Sequence, residues 1–268
     1  MSTLDNFVIS SKPLPRAMAT SQLVRDRGSI FEAAIYRSSS ASEVQSVIRQ
    51  HTEVVHGEKK ASHEIAAWRY MSLKHGKDGL GGPDDFEVKS GSRDDGENGA
   101  GKRALSVMES EGIIDAVVIV SRWCALPSHL PLIPPLTSTV LIEYLIYLFS
   151  GNKQRFGGTM LGPIRFTHIE LCAQEVCHTF KLTEEVEIYI EELKVLDIEL
   201  AQLRSNLAAI TSLHSDSPDK NSQDSLARLP DYDSMLLSPP DLLRAQRLIT
   251  ARRNAIASVK TIIEAKKG

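Results

Sequence analysis

The sequence predicts an α+β fold, a two-layer α/β sandwich followed by a pair of long C-terminal helices. Three observations carry that expectation. Residues 29–36 (SIFEAAIY) and 115–121 (DAVVIVS) are rich in the β-branched and aromatic side chains that suit a pleated, buried surface. Helical patterns come after strands, at 99–108 and 163–180, which suits a sheet with helices on one face. From Val186 onward apolar residues recur every seven positions, the period of a helix pair.

Taken in order, residues 1–22 read as a loose leader broken by Pro13 and Pro15. A domain is expected over 23–182. Its first strand, 29–36, precedes a helix over about 42–52. In ASHEIAAWRYMSLK (61–74), His63, Ile65, Ala67, Arg69 and Met71 share one parity, and Ala66, Trp68 and Tyr70 the other. That alternation suits a strand with one face covered, though periodicity leaves a helix open. The glycine-rich stretch at 75–85 reads as a flexible loop and 86–89 as a short strand. Pro163 fits the first turn of a helix reaching about Phe180, where its missing N–H costs nothing.

Beyond Thr183 the chain changes character. Val186, Leu193, Leu200 and Leu207 are seven apart, as are Tyr189, Leu196, Leu203 and Ile210, predicting an acidic coiled-coil helix over 183–212. A polar segment, 213–240, reads as a disordered linker. The last helix, 241–268, is basic and has Arg252 in its seam. Seven acids against two bases in 184–210, and seven bases against two acids in 241–268, give net charges of −5 and +5. Opposite blocks favour pairing within the chain over self-pairing, so an antiparallel helical hairpin is expected.

Residues 124–155 form a 32-residue interruption that matches nothing around them. The apolar run 130–149 approaches membrane-span length, but three prolines and Glu143 argue against a stable span. The codons for Trp123, Cys124 and Arg155 allow a GT…AG excision that restores an uninterrupted SRWFGGTMLGPIRF. The segment is therefore read as a retained intron or a gene-model error, with a real insertion as the alternative.

A net charge of −3 gives no bulk attraction to nucleic acid, and residues 57–103 balance nine bases against nine acids. Three cysteines outside any paired framework and no secretory apolar core point to a reducing, cytoplasmic setting. Gly96, Gly99 and Gly101 precede a helix bearing Lys102 and Arg103, a pattern that either cradles an anion or simply turns the chain. Asp94, Asp95 and Glu97 would repel an anion. They could hold magnesium, but more simply they bond backbone N–H groups and fix the turn. His168, Cys172, Cys177 and His178 cannot converge on zinc from one helix, so buried cysteines are expected. His63 is the one plausible titrating group of the site, though a satisfied or partly exposed histidine is the simpler reading, and no nucleophilic constellation emerges. The chain is expected to be noncatalytic, with no cofactor and no metal.

Residues 94–122 (DDGENGAGKRALSVMESEGIIDAVVIVSR), Trp123 and residues 157–166 (GGTMLGPIRF) together resemble the signature of the Impact family. Asp26-Arg27-Gly28-Ser29 with Phe31, and Ala61-Ser62-His63 through Ala67-Trp68-Arg69, extend the resemblance over about 22–123 and 156–182. It implies a sandwich like the second domain of a small-subunit ribosomal protein, in a cytosolic regulator of translation and stress responses. Such regulators restrain the general-control kinase by competing for its ribosome-bound activator, and also associate with actin. Their main contact with the activator is an N-terminal RWD domain, whereas about 22 residues precede the resemblance here. The implied binding surface comprises Asp94, Asp95, Gly96, Glu97, Gly99, Gly101, Arg122, Trp123, Gly157, Gly158, Gly162 and Arg165, with His63 and Arg69. An RNA- or ribosome-associated domain is the alternative reading.

Overall fold

Alternating burial along neighbouring strands sets the architecture. The computed structural model describes residues 15–124, 161–212, 230–237 and 239–267. The strands are β1 (Ala19–Thr20), β2 (Val24–Asp26), β3 (Ser29–Arg37), β4 (His63–Leu73), β5 (Phe86–Arg93) and β6 (Ala116–Cys124). The helices are α1 (Ala41–Gln50), α2 (Ala100–Ser110), α3 (Ile164–Ser212) and α4 (Leu242–Lys267). The chain divides into two units, Met1–Phe180 and Lys181–Gly268.

In the first unit the sheet runs β1-β3-β6-β4-β5, with β2 beside β1 on the same edge of β3, and all pairings are antiparallel. Central β6 has Ala116 opposite both Arg37 and Arg69, and Arg122 opposite both Phe31 and His63. Its apolar run is continuous because both faces are covered. Val118 and Val120 join Phe31, Ile35, Ile65 and Ala67 beneath α2 and the start of α3, where Met108, Ile169, Val176 and Phe180 are buried. Val117 and Ile119 face the other way, against Val44, Val47 and Ile48 of α1. Each such Val or Ile contributes about 1.5–3 kcal/mol relative to exposure.

The α+β class is as the sequence predicts, with one addition. Helices were expected on one face, but α1 builds a second, smaller core on the other. Strand β5 runs to Arg93 rather than ending at 89, because it pairs with β4 residue for residue as far as Ala66. The segment 61–74 is the strand that its parity suggests, over His63–Leu73.

The helix expected to stop near Phe180 does not stop. Nothing between Phe180 and Glu184 breaks a helix, so α3 continues unbroken to Ser212. In the second unit it pairs with α4, as the charge blocks require, but the pair is parallel and not antiparallel. Glu192 meets Arg253, Glu199 meets Lys260 at 2.8 Å and Lys266 meets Thr211 at 2.9 Å, so both helices ascend together. Charge selects the partner and leaves the direction open. The chain between Ser212 and Leu242, roughly 30 residues at up to about 3.3 Å each, outreaches α4 at about 1.5 Å per residue.

One of the two expected seam positions holds and the other is shifted by one residue. Val186, Leu193 and Leu200 are buried with Ile190 and Asp197, while Tyr189 and Leu196 flank them. Asp197 and Arg252 thus occupy facing seam positions. Arg252 Nε donates to Asp197 Oδ1 and Tyr232 Oη to Oδ2, both at 2.5 Å. Tyr232 and Met235 are buried there beside the short helix Asp233–Leu236, within the segment that the sequence reads as a linker.

Candidate functional site

At one end of the sheet, β4 and β6 carry polar side chains on both faces, and strand parity separates them into two clusters. Arg122 shares a face with Phe31, whereas Ser121 and Trp123 lie on the opposite one.

The first cluster is wired by the acidic turn that leads into α2. Asp94 accepts the N–H of Gly99 at 2.9 Å and of Gly101 at 2.8 Å, satisfying donors at the helix start. Asp95 accepts the Glu64 N–H at 2.7 Å and so ties the turn to β4. These two carboxylates do what the simpler sequence reading gives them, fixing the turn through backbone N–H groups. Gly96 and Gly99 have φ of 89° and 85°, where a side chain would be strained. At Gly101 a Cβ would sit 2.9 Å from Asp94 Oδ1 and 3.0 Å from the Arg93 carbonyl, so the close approach of helix and turn requires glycine.

Glu97 is buried and forms ion pairs with Arg122, also fully buried, and with Arg165 Nε at 2.7 Å. Arg165 also donates to the Gly162 carbonyl at 2.6 Å, holding the start of α3 to the turn. His63 Nδ1 donates to the Asp95 carbonyl at 2.8 Å, and its Nε2 lies 3.5 Å from Glu97. Burial alone would lower the His63 imidazole, but Cys124, the Asp95 carbonyl and Glu97 outweigh it and raise it above 6.5.

Most of the residues expected to form the binding surface therefore come together, but as an internal brace. Of these, Asp95 and Gly96 are exposed, and Asp94, Gly99, Gly162 and Arg165 are partly so. Arg69 does not join them: it donates to the carbonyls of Met108 and Ile113, closing the far end of α2. Trp123 lies on the other face, donating to the Lys59 carbonyl. Gly157 and Gly158 lie outside the described residues, as do residues 125–155 of the interruption. Cys172 and Cys177 are buried, which pushes their thiols up to about 11 and about 12. Among the described residues, no helix is long and apolar enough to cross a membrane.

The second cluster was not anticipated. After α1 the chain makes a π-turn, His51–Val55, in which the His56 N–H bonds the His51 carbonyl at 3.0 Å. A five-residue turn stacks positions i and i+5, so the two rings meet edge to face with centroids 4.3 Å apart. Helical spacing at 3.6 residues separates His51 from His56, which is why the pair was missed. Glu64 reaches them from the strand parity opposite to His63. His56 Nδ1 lies 2.9 Å from Glu64 Oε1, Ser121 Oγ donates to Glu64 Oε2 at 2.9 Å, and His51 bridges Tyr36 Oη at 2.7 Å and Ser121 Oγ at 3.2 Å. Burial lowers the His51 imidazole to about 4 and raises the Tyr36 phenol to about 12. Burial also pushes Glu64 upward, but bonds from His56 and Ser121 and the neighbouring imidazoles outweigh it, and its carboxyl stays below its ordinary value. Glu64 also lines an adjacent cleft of about 380 Å³ with Arg49, Thr52, Lys60 and Arg93.

Comparison with known proteins bears on the braced turn and its sheet. The Impact N-terminal domain family matches residues 27–125. An IMPACT family member of Saccharomyces cerevisiae, YDL177C, is 26% identical over 179 residues, covering 58% of this chain and 86% of that protein. Protein IMPACT of Xenopus laevis is 28% identical over 170 residues, covering 62% of this chain and 39% of its own. The chain thus spans less than half of that vertebrate relative. Among solved structures, the two-domain translational regulator Yih1 is 23% identical, with a TM-score of 0.29 over 66% of this chain and 50% of its own. Over residues 27–125, just over a third of the chain, the sequence matches the Impact N-terminal domain.

Proposed function

We propose that this protein is a noncatalytic interaction module that regulates translation initiation, restraining general-control kinase signalling by binding the kinase's ribosome-associated activator. The observation that carries the reading is the Impact N-terminal domain itself, whose match spans β3 to β6. Likeness to proteins named IMPACT supports the same role. The internal brace suits it as well. Glu97, Arg122 and His63 are spent on holding the turn, so the exposed edge at Asp95 and Gly96, with Arg165 beside it, is presented as a fixed surface. A rigid polar edge suits protein recognition better than chemistry, which needs groups free to meet a substrate.

The reading has a direct cellular test. Raising the level of the full chain in amino-acid-starved cells should lower phosphorylation of the kinase's initiation-factor substrate. The activator should also co-purify with the tagged chain, and kinase association with it should fall. Unchanged phosphorylation together with no activator recovered would overturn the proposal. Recovery of ribosomal RNA alone, lost steeply as salt rises, would replace it with RNA association.

A further inference from the structure

We propose that His51, His56 and Glu64, with Ser121, form a binding site for a divalent transition metal of the zinc type. The inference is independent of the protein partner. Among the described residues, these two histidines and the glutamate are the one such group whose ligand atoms converge, all within 4.8 Å of one another. Ser121 Oγ completes the set. It lies 3.2 Å from His51 Nε2, 3.5 Å from His56 Nδ1 and 2.9 Å from Glu64 Oε2. His51 Nε2 is 3.6 Å from Glu64 Oε2, and His56 Nδ1 is 2.9 Å from Glu64 Oε1. A tetrahedral ion with ligands at about 2.0–2.1 Å needs donor atoms about 3.3 Å apart. These distances lie on both sides of that value, His51 Nε2 against Glu64 Oε2 above it and His56 Nδ1 against Glu64 Oε1 below. Three ligand side chains, with the Ser121 hydroxyl beside them, thus stand at roughly the spacing of a zinc coordination shell.

The surroundings fit the same chemistry. Imidazole and carboxylate ligands suit zinc, and both must be deprotonated to bind it. The Tyr36 hydroxyl, 2.7 Å from His51 Nδ1, is placed as the outer partner that orients a ligating histidine. An entry route exists, since Glu64 also lines the neighbouring cleft. The scaffold is rigid, because Glu64 and Ser121 sit opposite each other on paired strands β4 and β6.

Hydrogen accounting gives a consequence that a plain polar core would not show. Without metal, the Ser121 hydroxyl donates to Glu64, so His51 Nε2–H donates to Ser121 Oγ and Nδ1 accepts from Tyr36. Metal on Nε2 displaces that proton. The bound form therefore carries the proton on Nδ1, with Tyr36 Oη now accepting it.

The test uses the full chain, stripped of metal with a chelator and titrated with zinc chloride by calorimetry. One saturable equivalent is expected. Affinity should fall more than ~100-fold in Glu64→Gln and in His56→Ala, and about 10–100-fold in Tyr36→Phe, which removes only the outer partner. Exposed His75→Ala should leave it unchanged. Two readouts on the unaltered chain hold even if a variant fails to fold. Cobalt should give a tetrahedral visible spectrum without a thiolate charge-transfer band, and nitrogen NMR should show the His51 proton move from Nε2 to Nδ1. No saturable zinc binding overturns the proposal, as does a thiolate band assigning the ion to Cys124, or affinity unchanged in Glu64→Gln and His56→Ala.

Discussion

Replacing Glu97 by glutamine tests the brace that shapes the Impact turn. The substitution keeps the side chain's size and removes its charge. Arg122, fully buried, and Arg165, about one-fifth exposed, then lose their shared carboxylate. Breaking a buried ion pair from one side leaves an uncompensated charge and costs about 3–5 kcal/mol. Part of that loss is relieved at Arg165, which can turn toward water, so the lower half of the range is expected. Both tryptophans, Trp68 and Trp123, lie in the first unit, so their fluorescence follows this domain and is blind to the helix pair. Urea unfolding should show a midpoint lower by about 1–4 M, for a slope near 1–3 kcal/mol per M. A paired change, Glu97→Leu with Arg122→Met, removes both charges and should recover more than half of the loss. Stability within about 1 kcal/mol of the parent in Glu97→Gln would refute the reasoning, because it would mean that Glu97 does not carry the buried charge.

Three further outcomes follow from the same geometry. Gly101→Ala should destabilise the domain by about 1–3 kcal/mol, although alanine normally favours a helix, because its Cβ would sit 3.0 Å from the Arg93 carbonyl; a stabilised variant in urea melts would contradict this. Zero-length carbodiimide coupling should join Glu199 to Lys260, as the parallel pair requires, and peptides joining Glu184 or Glu185 to Lys266 instead would restore the antiparallel hairpin. Alkylation of the native chain at pH 8 should label Cys124 and leave Cys172 and Cys177 untouched until denaturant is added. Their stabilising contribution as protonated thiols is full below about pH 9, the ordinary thiol value, and is lost as pH rises toward 11 and 12.

Much of this was legible in the sequence, for identifiable reasons. The parity of His63, Ile65 and Ala67 against Ala66 and Trp68 placed β4 and its two faces, because a strand's period is two and admits no drift. The turn residues Asp94 and Asp95 were readable because short carboxylates beside glycines have one common use, bonding backbone N–H groups. The helix pair was legible from charge and the heptad, but its direction was not, since opposite blocks attract in either sense. The direction shows only in the order of contacts, Glu192 with Arg253 and then Glu199 with Lys260, between residues far apart in the chain. The His51–His56 pair was hidden for a different reason. It depends on a π-turn, and no residue type signals that the helix will widen by one residue there. Helix α1 on the second face was missed as a layer because Val44, Val47 and Ile48 bury against Val117 and Ile119, whose outward parity only the sheet's register reveals.

Competition at the activator tests the central claim most directly. The purified full chain would be titrated against the activator's kinase-binding region with the kinase's own docking segment already bound and labelled. Saturable displacement of the segment is expected, weakened by charge reversal at the exposed edge, Asp95→Lys. Because Asp95 also braces β4, the variant's urea midpoint is measured alongside, and the weakening must exceed any loss of folded protein. No displacement at saturating concentrations of folded chain would contradict the account.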